Sequence, residues 1–336
     1  MNADFKEVCP GIFVIEERGL SRIYKPPINI YVVTGANGIV FDAGYGNSAA
    51  LKQFGRAYKK ITELCAERGD PCSISRIIIS HAHPDHFAGL KSLSSIYNFR
   101  IIVTERMAEI VKSGQAYRES FAYENDVRKR TGVLFSVIKR FFRTINYRLY
   151  ARSWGIRFVS NPDIVIKNNC SININGTIWR IFHSPGHSDD HITLYDPSTG
   201  ILFGGDNILR SKFTWLGPPR SDIDLYLDSL KTIMQLPGLS VILPAHGSVI
   251  TSPVERITAI ISYWENRMKQ VGECVHAAGN SGIPLTDVIS AVYPGSGRIK
   301  REFVRGWVLL VLERMVNSGE IYRETCRYYP ARVNRA

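Results

Sequence analysis

No stretch of this chain comes near the roughly 20 consecutive apolar residues that a membrane helix needs. Its most apolar late run, Val308 to Leu312, is enclosed by Arg305 and Arg314. The opening segment, MNADFKEVCPGIFVIEERG, carries Asp4 and Glu7 and no unbroken apolar stretch, so it reads as neither a signal nor a transit peptide. Cysteine is sparse: the six residues at 9, 65, 72, 170, 274 and 326 form no CxxC pair, which speaks against a thiolate metal cage or a disulfide scaffold. Internal repeats and low-complexity tracts are lacking too. These absences lead to the expectation of a soluble, cytoplasmic protein with free thiols.

What is there is an ordinary globular composition over 336 residues, 45% hydrophobic and 21% charged, which is length enough for two domains. The net charge of +12 is unevenly placed: residues 127–160 hold nine Lys or Arg and no acid, and residues 298–336 hold nine against four. An anionic partner would meet those two regions.

Short β-branched runs at Ile28–Thr34 and Ile39–Asp42 flank Ala36-Asn37-Gly38, a hairpin signal. A helix is predicted from about Ser48 to Arg68, with Leu51, Phe54, Tyr58, Ile61 and Leu64 on its apolar face. Arg76 to Ser80 reads as a buried strand, Leu90 to Tyr97 as a helix and Arg100 to Thr104 as a strand. Leu134, Ile138, Phe141, Ile145 and Leu149 fall on one face of a basic helix, read as part of an insertion over about 106–160. Short strands resume from 164 to 243. Beyond Pro253, three helices and a terminal hairpin have the pattern of a winged helix, giving expected domains at 1–252 and 253–336.

The chemistry concentrates after the strand ending at Ser80. Ser80-His81-Ala82-His83-Pro84-Asp85-His86 offers four ligands in six residues; in an extended loop His81 and His83 point the same way, and Asp85 and His86 at the next turn can face a second ion about 3.5–4 Å away. Further ligand types recur at strand ends: His187 in SPGH, Asp206 in GGD and His246 in AHG. Imidazole and carboxylate without thiolate suit zinc, with iron or manganese as alternatives.

This series of motifs resembles the metallo-β-lactamase superfamily, most closely its lactamase-beta-like branch with a winged-helix tail. The resemblance implies an αββα sandwich, a mixed α+β fold of two facing sheets with helices outside. It implies that His81, His83 and His187 hold one metal, that Asp85, His86 and His246 hold the second, and that Asp206 bridges them. Asp42 and His191 would stand behind the ligands as hydrogen-bonding supports, and Asp85 would orient a metal-bridging hydroxide as the nucleophile and take its proton as it attacks. His183 and His276 read as structural or surface residues, and Gly205 and Gly247 as sites of close backbone approach.

The expected activity is binuclear hydrolysis of a small-molecule ester, thioester or lactone, with Tyr45, Phe141 and Phe142 as pocket residues; Tyr45 equally suits core packing. Two alternatives stand beside it. The basic residues Arg128, Lys129, Arg130, Lys139, Arg140 and Arg143 would serve an endoribonuclease or phosphodiesterase acting on RNA, and a single-iron sulfur dioxygenase would use similar ligands for the first metal. The basic helix also has plain readings as a solvated face or a membrane-surface contact. The tail reads as a packing element or a homodimer contact.

Overall fold

The computed structural model describes residues 5–19, 25–122, 147–211 and 213–331. Phe141, Phe142 and the basic cluster from Arg128 to Arg143 lie outside these residues. The chain divides into two compact units.

The larger unit comprises residues 1–183, 190–212 and 237–251. Its first sheet has the order β1 (Lys6–Cys9), β2 (Ile12–Glu17), β3 (Ile28–Val33), β4 (Gly35–Phe41), β5 (Cys72–Ile78), β6 (Arg100–Thr104), β7 (Ile164–Ile166). Its second sheet contains β8 (Cys170–Ile174), β9 (Thr177–His183), β10 (Ile192–Asp196), β11 (Ile201–Gly205) and β12 (Val241–Pro244), in reverse order. The sheets share one core, in which Phe203 of β11 stands 4.9 Å from Phe41 and 5.2 Å from Tyr31 between ring centroids. Burying each such aromatic contributes about 1.5–3 kcal/mol.

The predicted hairpin forms, with Val33 opposite Ile39. Its Asn37-Gly38 segment is not merely a turn, because β4 begins at Gly35 and pairs there in parallel with β5. Helix α1 spans Ser48–Arg68 as expected. Asn47 caps it by accepting from the amides of Ala49 and Ala50, and Gly69 in the left-handed region closes it. The buried stripe is Ala50, Phe54, Ala57, Ile61 and Cys65, slightly rotated from the predicted face. The small residues of that stripe allow the closer approach, and Leu51, Tyr58 and Leu64 flank the contact half-buried.

After β5 the chain turns through α2 (Pro84–Phe87) and α3 (Leu90–Tyr97) to β6, then α4 (Glu105–Val111) and α5 (Gly114–Ser120). A further helical stretch, α6, covers 147–154. All six cysteines are free.

The second unit gathers residues 184–189, 213–236 and 252–336. It contains α7 (Ile223–Met234), α8 (Pro253–Ala278), β13 (Ile283–Pro284), α9 (Leu285–Val292), α10 (Arg298–Asn317), β14 (Ile321–Glu324) and β15 (Arg327–Pro330). From α8 onward, the order helix, strand, helix, helix, hairpin, with sheet order β13-β15-β14, is that of a winged helix. Trp264 packs edge-on against Trp307 at 5.4 Å and Tyr226 at 6.4 Å. Sequence inspection missed α7, although Asp222 caps it through the Leu225 amide and Ile223, Tyr226, Leu227, Leu230 and Ile233 recur at helical spacing. Among the described residues no helix is long and apolar enough to cross a membrane.

Candidate metal centre

In the larger unit, side chains from the ends of β4, β5, β11 and β12 come together where β4–β5 and β11–β12 run in parallel pairs. Parallel strands deliver their following loops to one sheet edge, which is why sites form there. After β5, His83 takes the N-terminal cap position of α2 with extended dihedrals, and Pro84 starts the helix with its ring already at helical φ. His81 and His83 therefore precede the helix, with ring centroids 4.5 Å apart, and Asp85 and His86 lie in its first turn.

His86 Nε2 is 3.6 Å from Asp206 Oδ1 and 3.8 Å from Asp85 Oδ1. His246 Nε2 is 3.3 Å from Asp206 Oδ1 and 3.5 Å from Asp85 Oδ2. Ligand atoms of Asp85, His86 and His246 all fall within 4.8 Å of one another, as do those of His81, His86 and Asp206. Ligands each about 2.0–2.2 Å from one tetrahedral ion stand about 3.3–3.6 Å apart, so most of these separations are those of atoms sharing a cation. His86 Nε2 is a buried nitrogen without a hydrogen-bond partner, directed at two carboxylates. A divalent ion fits that requirement.

The electrostatics agree. Burial opposes charge on His246, but the carboxylates of Asp206 and Asp85 outweigh it and push the imidazole up to about 10. Burial opposes charge on His86 likewise, and Asp42, Asp85 and Asp206 hold it well above its ordinary value. Asp206, despite its burial, is held well below the usual carboxylate range by His246 and His86. The cluster calls for positive charge at its centre.

The supports behind these ligands are well defined. Asp42 sits at φ +65 at the end of β4, a conformation Asp tolerates better than most residues. Its carboxylate accepts from Ser80 N at 2.7 Å, from Ser80 Oγ at 2.9 Å and from His86 Nδ1 at 3.0 Å. Because Ser80 Oγ gives its one proton to Asp42, its lone pairs accept from His81 Nδ1 at 3.0 Å. Two ring orientations are thus held by one carboxylate and one hydroxyl.

His246 is positioned from the other side. Its Nδ1 donates to the Pro27 carbonyl at 2.6 Å, and Asn29 Nδ2 donates to the carbonyls of Pro244 and Gly247. His191 Nε2 accepts the Asp206 amide at 3.2 Å; a Cβ on Gly205, at φ +51, would lie 2.4 Å from that nitrogen, so close backbone approach is what Gly205 permits. Gly247 differs from the expectation: a Cβ there would meet open space, and its φ of +86 is the requirement.

His187 belongs to the second unit. There its Nδ1 lies 2.7 Å from the Trp215 carbonyl and 2.9 Å from Thr214 Oγ1, and Ser221 Oγ donates to its backbone oxygen. Tyr45 is 2% exposed, its hydroxyl donates to Pro26 O, and its ring packs edge-on against Trp154 at 5.1 Å.

Sequence reading missed Ser80, Asp190 and Glu17. Ser80 could have been suspected, as a polar residue ending an apolar strand beside a ligand. Asp190 accepts the Ala82 amide at 2.8 Å, fixing the loop between His81 and His83. Glu17 is buried and accepts the Tyr45 amide at 3.0 Å; burial, countered by that bond and by Lys25, pushes its carboxyl up to about 8.

Two facing sheets that bring imidazoles and carboxylates together beyond parallel strand ends make a candidate metal centre. The model of the metallo-beta-lactamase superfamily matches residues 24–246, and the chain belongs to that superfamily. Among curated proteins it is similar to the acyl-coenzyme A thioesterase MBLAC2 of Bos taurus, 26% identical over 275 residues, covering 80% of this chain and 88% of that protein. It is also similar to hydroxyacylglutathione hydrolase of Francisella tularensis subsp. novicida, 27% identical over 175 residues, covering 52% of this chain and only 49% of that enzyme. A metallo-beta-lactamase family protein from Thermus thermophilus superposes with a TM-score of 0.71 at 19% identity, covering 96% of this chain and all of that one. A beta-lactamase domain protein from Burkholderia ambifaria gives 0.73 at 19% identity over 98% of this chain and 96% of that chain. These two structures bear on the fold alone.

Proposed function

We propose that this chain is a binuclear metal-dependent hydrolase of small-molecule acyl compounds, with thioesters ahead of esters and lactones. The observation that carries the metal-dependent reading is the set of Nε2-to-carboxylate separations joining His86 and His246 to Asp85 and Asp206. The preference for thioesters rests on the similarity to the bovine thioesterase, which extends over most of both chains.

In this reading His81, His83 and His187 hold one ion, Asp85, His86 and His246 the other, and Asp206 lies between them. Zinc is the ion of choice for such a donor set, with iron or manganese as substitutes. Zinc bound there would supply Lewis-acid polarisation of the acyl carbonyl and a water acidic enough to attack at neutral pH.

The protein's own part is orientation and proton handling. Asp42 and Ser80 keep His86 and His81 in the tautomer that leaves Nε2 as the ligating atom. His191 and Gly205 set the backbone of Asp206, the Pro27 carbonyl holds the His246 ring, and Asn29 sets the backbone on either side of His246. Asp85 is the side chain placed to receive a proton from the attacking water. Convergence of Asp85, His86 and His246 favours two ions over the single-iron alternative.

The test combines elemental analysis with a substrate panel of acyl-coenzyme A, acyl-glutathione, a lactone and single-stranded RNA. The expected result is about two ions per active chain and chelator-sensitive hydrolysis of the thioesters. One ion in fully active protein would sink the binuclear reading, and cleavage of RNA with thioesters untouched would sink the acyl reading.

A further inference from the structure

Nine large apolar side chains stand exposed among the described residues, and Ile299, at 72%, is the most exposed of them. Phe303, at 52%, is another, one helical turn further along the same face of α10. No other two of the nine lie within five positions of each other. Around this pair the exposed residues are Arg298, Lys300, Arg301 and Arg305, against the single acid Glu302.

The cations are poorly explained by the folded unit. No acidic residue occupies the first turn of α10, and Gly297 caps it without a side-chain bond, so Arg298, Lys300 and Arg301 sit at the end whose macrodipole repels them. Arg301 Nε donates to the Ser296 carbonyl, and the Lys300 ammonium lies 5.2 Å from the Tyr293 ring centre. Among the described residues none of the four is in an ion pair, whereas Arg314 at the other end of the helix pairs with Asp224 at 2.8 and 3.0 Å.

In a winged helix that reads nucleic acid, the helix in the position of α10 enters the major groove. Here that helix is covered within its own unit. A Cβ on Gly306 would stand 2.8 Å from the Leu216 carbonyl and 3.0 Å from the Gly217 Cα, and Arg314 is bound to α7 through Asp224. Only the first two turns remain open, and at their centre stand Ile299 and Phe303, apolar side chains where base edges would call for hydrogen-bonding ones. A second copy of the chain set against this patch by a twofold axis would bring arginine to arginine.

We propose that residues 298–305 form a docking surface for an anionic lipid bilayer. Ile299 and Phe303 enter the interfacial layer, and Arg298, Lys300, Arg301 and Arg305 meet lipid phosphates, the division of labour of interfacial amphipathic helices.

The test is sedimentation of the full-length, metal-loaded protein with vesicles of phosphatidylcholine alone and of an equal mix with phosphatidylglycerol. Binding is expected on the mixed vesicles and not on the neutral ones. Neutralising three cations (Arg298→Gln, Lys300→Gln, Arg301→Gln) should weaken partition on the order of a hundredfold, at about fivefold per charge. The pair Ile299→Asp and Phe303→Asp should abolish it. Both variants alter exposed side chains and should keep the wild-type Tm and hydrolysis of a water-soluble thioester, which separates lost docking from lost folding.

Failure of the wild type to bind anionic vesicles overturns the proposal. So does unchanged partition of both variants, which would move the contact to another basic segment. Loss of RNA-oligomer binding in the charge variant without any vesicle binding, or a dimer that the Asp pair dissolves, also overturns it.

Discussion

Asp42 accepts the Nδ1 proton of His86 at 3.0 Å while held at φ +65, so the residue that orients one ligand is itself in the left-handed region. The second oxygen of its carboxylate takes the Ser80 amide and shares the Ser80 hydroxyl, which in turn receives His81 Nδ1. A carboxylate can accept from all of these donors at once; an amide cannot.

Asp42→Asn therefore isolates that contribution. Asn tolerates the left-handed backbone, so the turn survives, but its NH2 meets a donor where the carboxylate had met only donors. We expect metal affinity to fall by about 10–100-fold, measured by competition with a chromophoric chelator. Asp42→Ala should lose affinity as well and cost roughly a further 1–2 kcal/mol in stability from the backbone alone. Unchanged affinity in Asp42→Asn would show that the hydrogen bonds to His86 and Ser80 do not tune the site.

The candidate ligands could be picked out of the sequence because metal chemistry restricts both residue type and spacing: His81, His83, Asp85 and His86 lie within six positions of one another. Asp42 and His191 were legible only through family resemblance. Ser80, Asp190 and Asn29 were not assigned, since each works through a hydrogen bond whose partner is chosen by tertiary packing. Asn29 reaches Pro244 and Gly247 across more than 200 positions, a relationship no local pattern contains. The strands from β3 to β12 were legible as apolar runs, whereas β1 and β2 were not assigned, α7 was passed over amid polar residues, and the exact face of α1 depended on small residues that carry little hydrophobic signal.

Glu17 gives a pH prediction. Its carboxyl is raised from the ordinary range to about 8, first by burial, against the Tyr45 amide and Lys25, with Asp85 adding to the rise. The native state then holds a proton that the unfolded chain has released, so stability declines as pH rises from about 4.5 to 8 and levels off above. The slope attributable to this residue approaches 1.4 kcal/mol per pH unit at most. Glu17→Gln, which keeps an acceptor for the Tyr45 amide, should flatten that part of the profile. Urea unfolding of both proteins across this range measures it, and parallel profiles would exclude a protonated Glu17.

The last prediction separates acyl hydrolysis from RNA cleavage through a segment that lies outside the described residues. If Arg130, Lys139, Arg140 and Arg143 contact RNA, replacing them by Ala removes several phosphate contacts, each worth about 0.7 in the salt slope on single strands. RNA cleavage would then collapse at moderate salt. If the aromatic positions of the segment instead receive an acyl chain, those charges matter little to thioester turnover. Phe141→Ala or Phe142→Ala should then raise KM for long-chain thioesters by up to the ~1.5–3 kcal/mol that burial of a Phe contributes, with short-chain substrates unaffected. The second pattern is expected, because the sequence places Phe135, Phe141 and Phe142 close together in that segment, aromatic surface that phosphate contact does not require. Steady-state kinetics on a chain-length series decides it: an enzyme whose KM is indifferent to both Phe substitutions, and whose RNA cleavage disappears in the charge variant, would reverse the assignment.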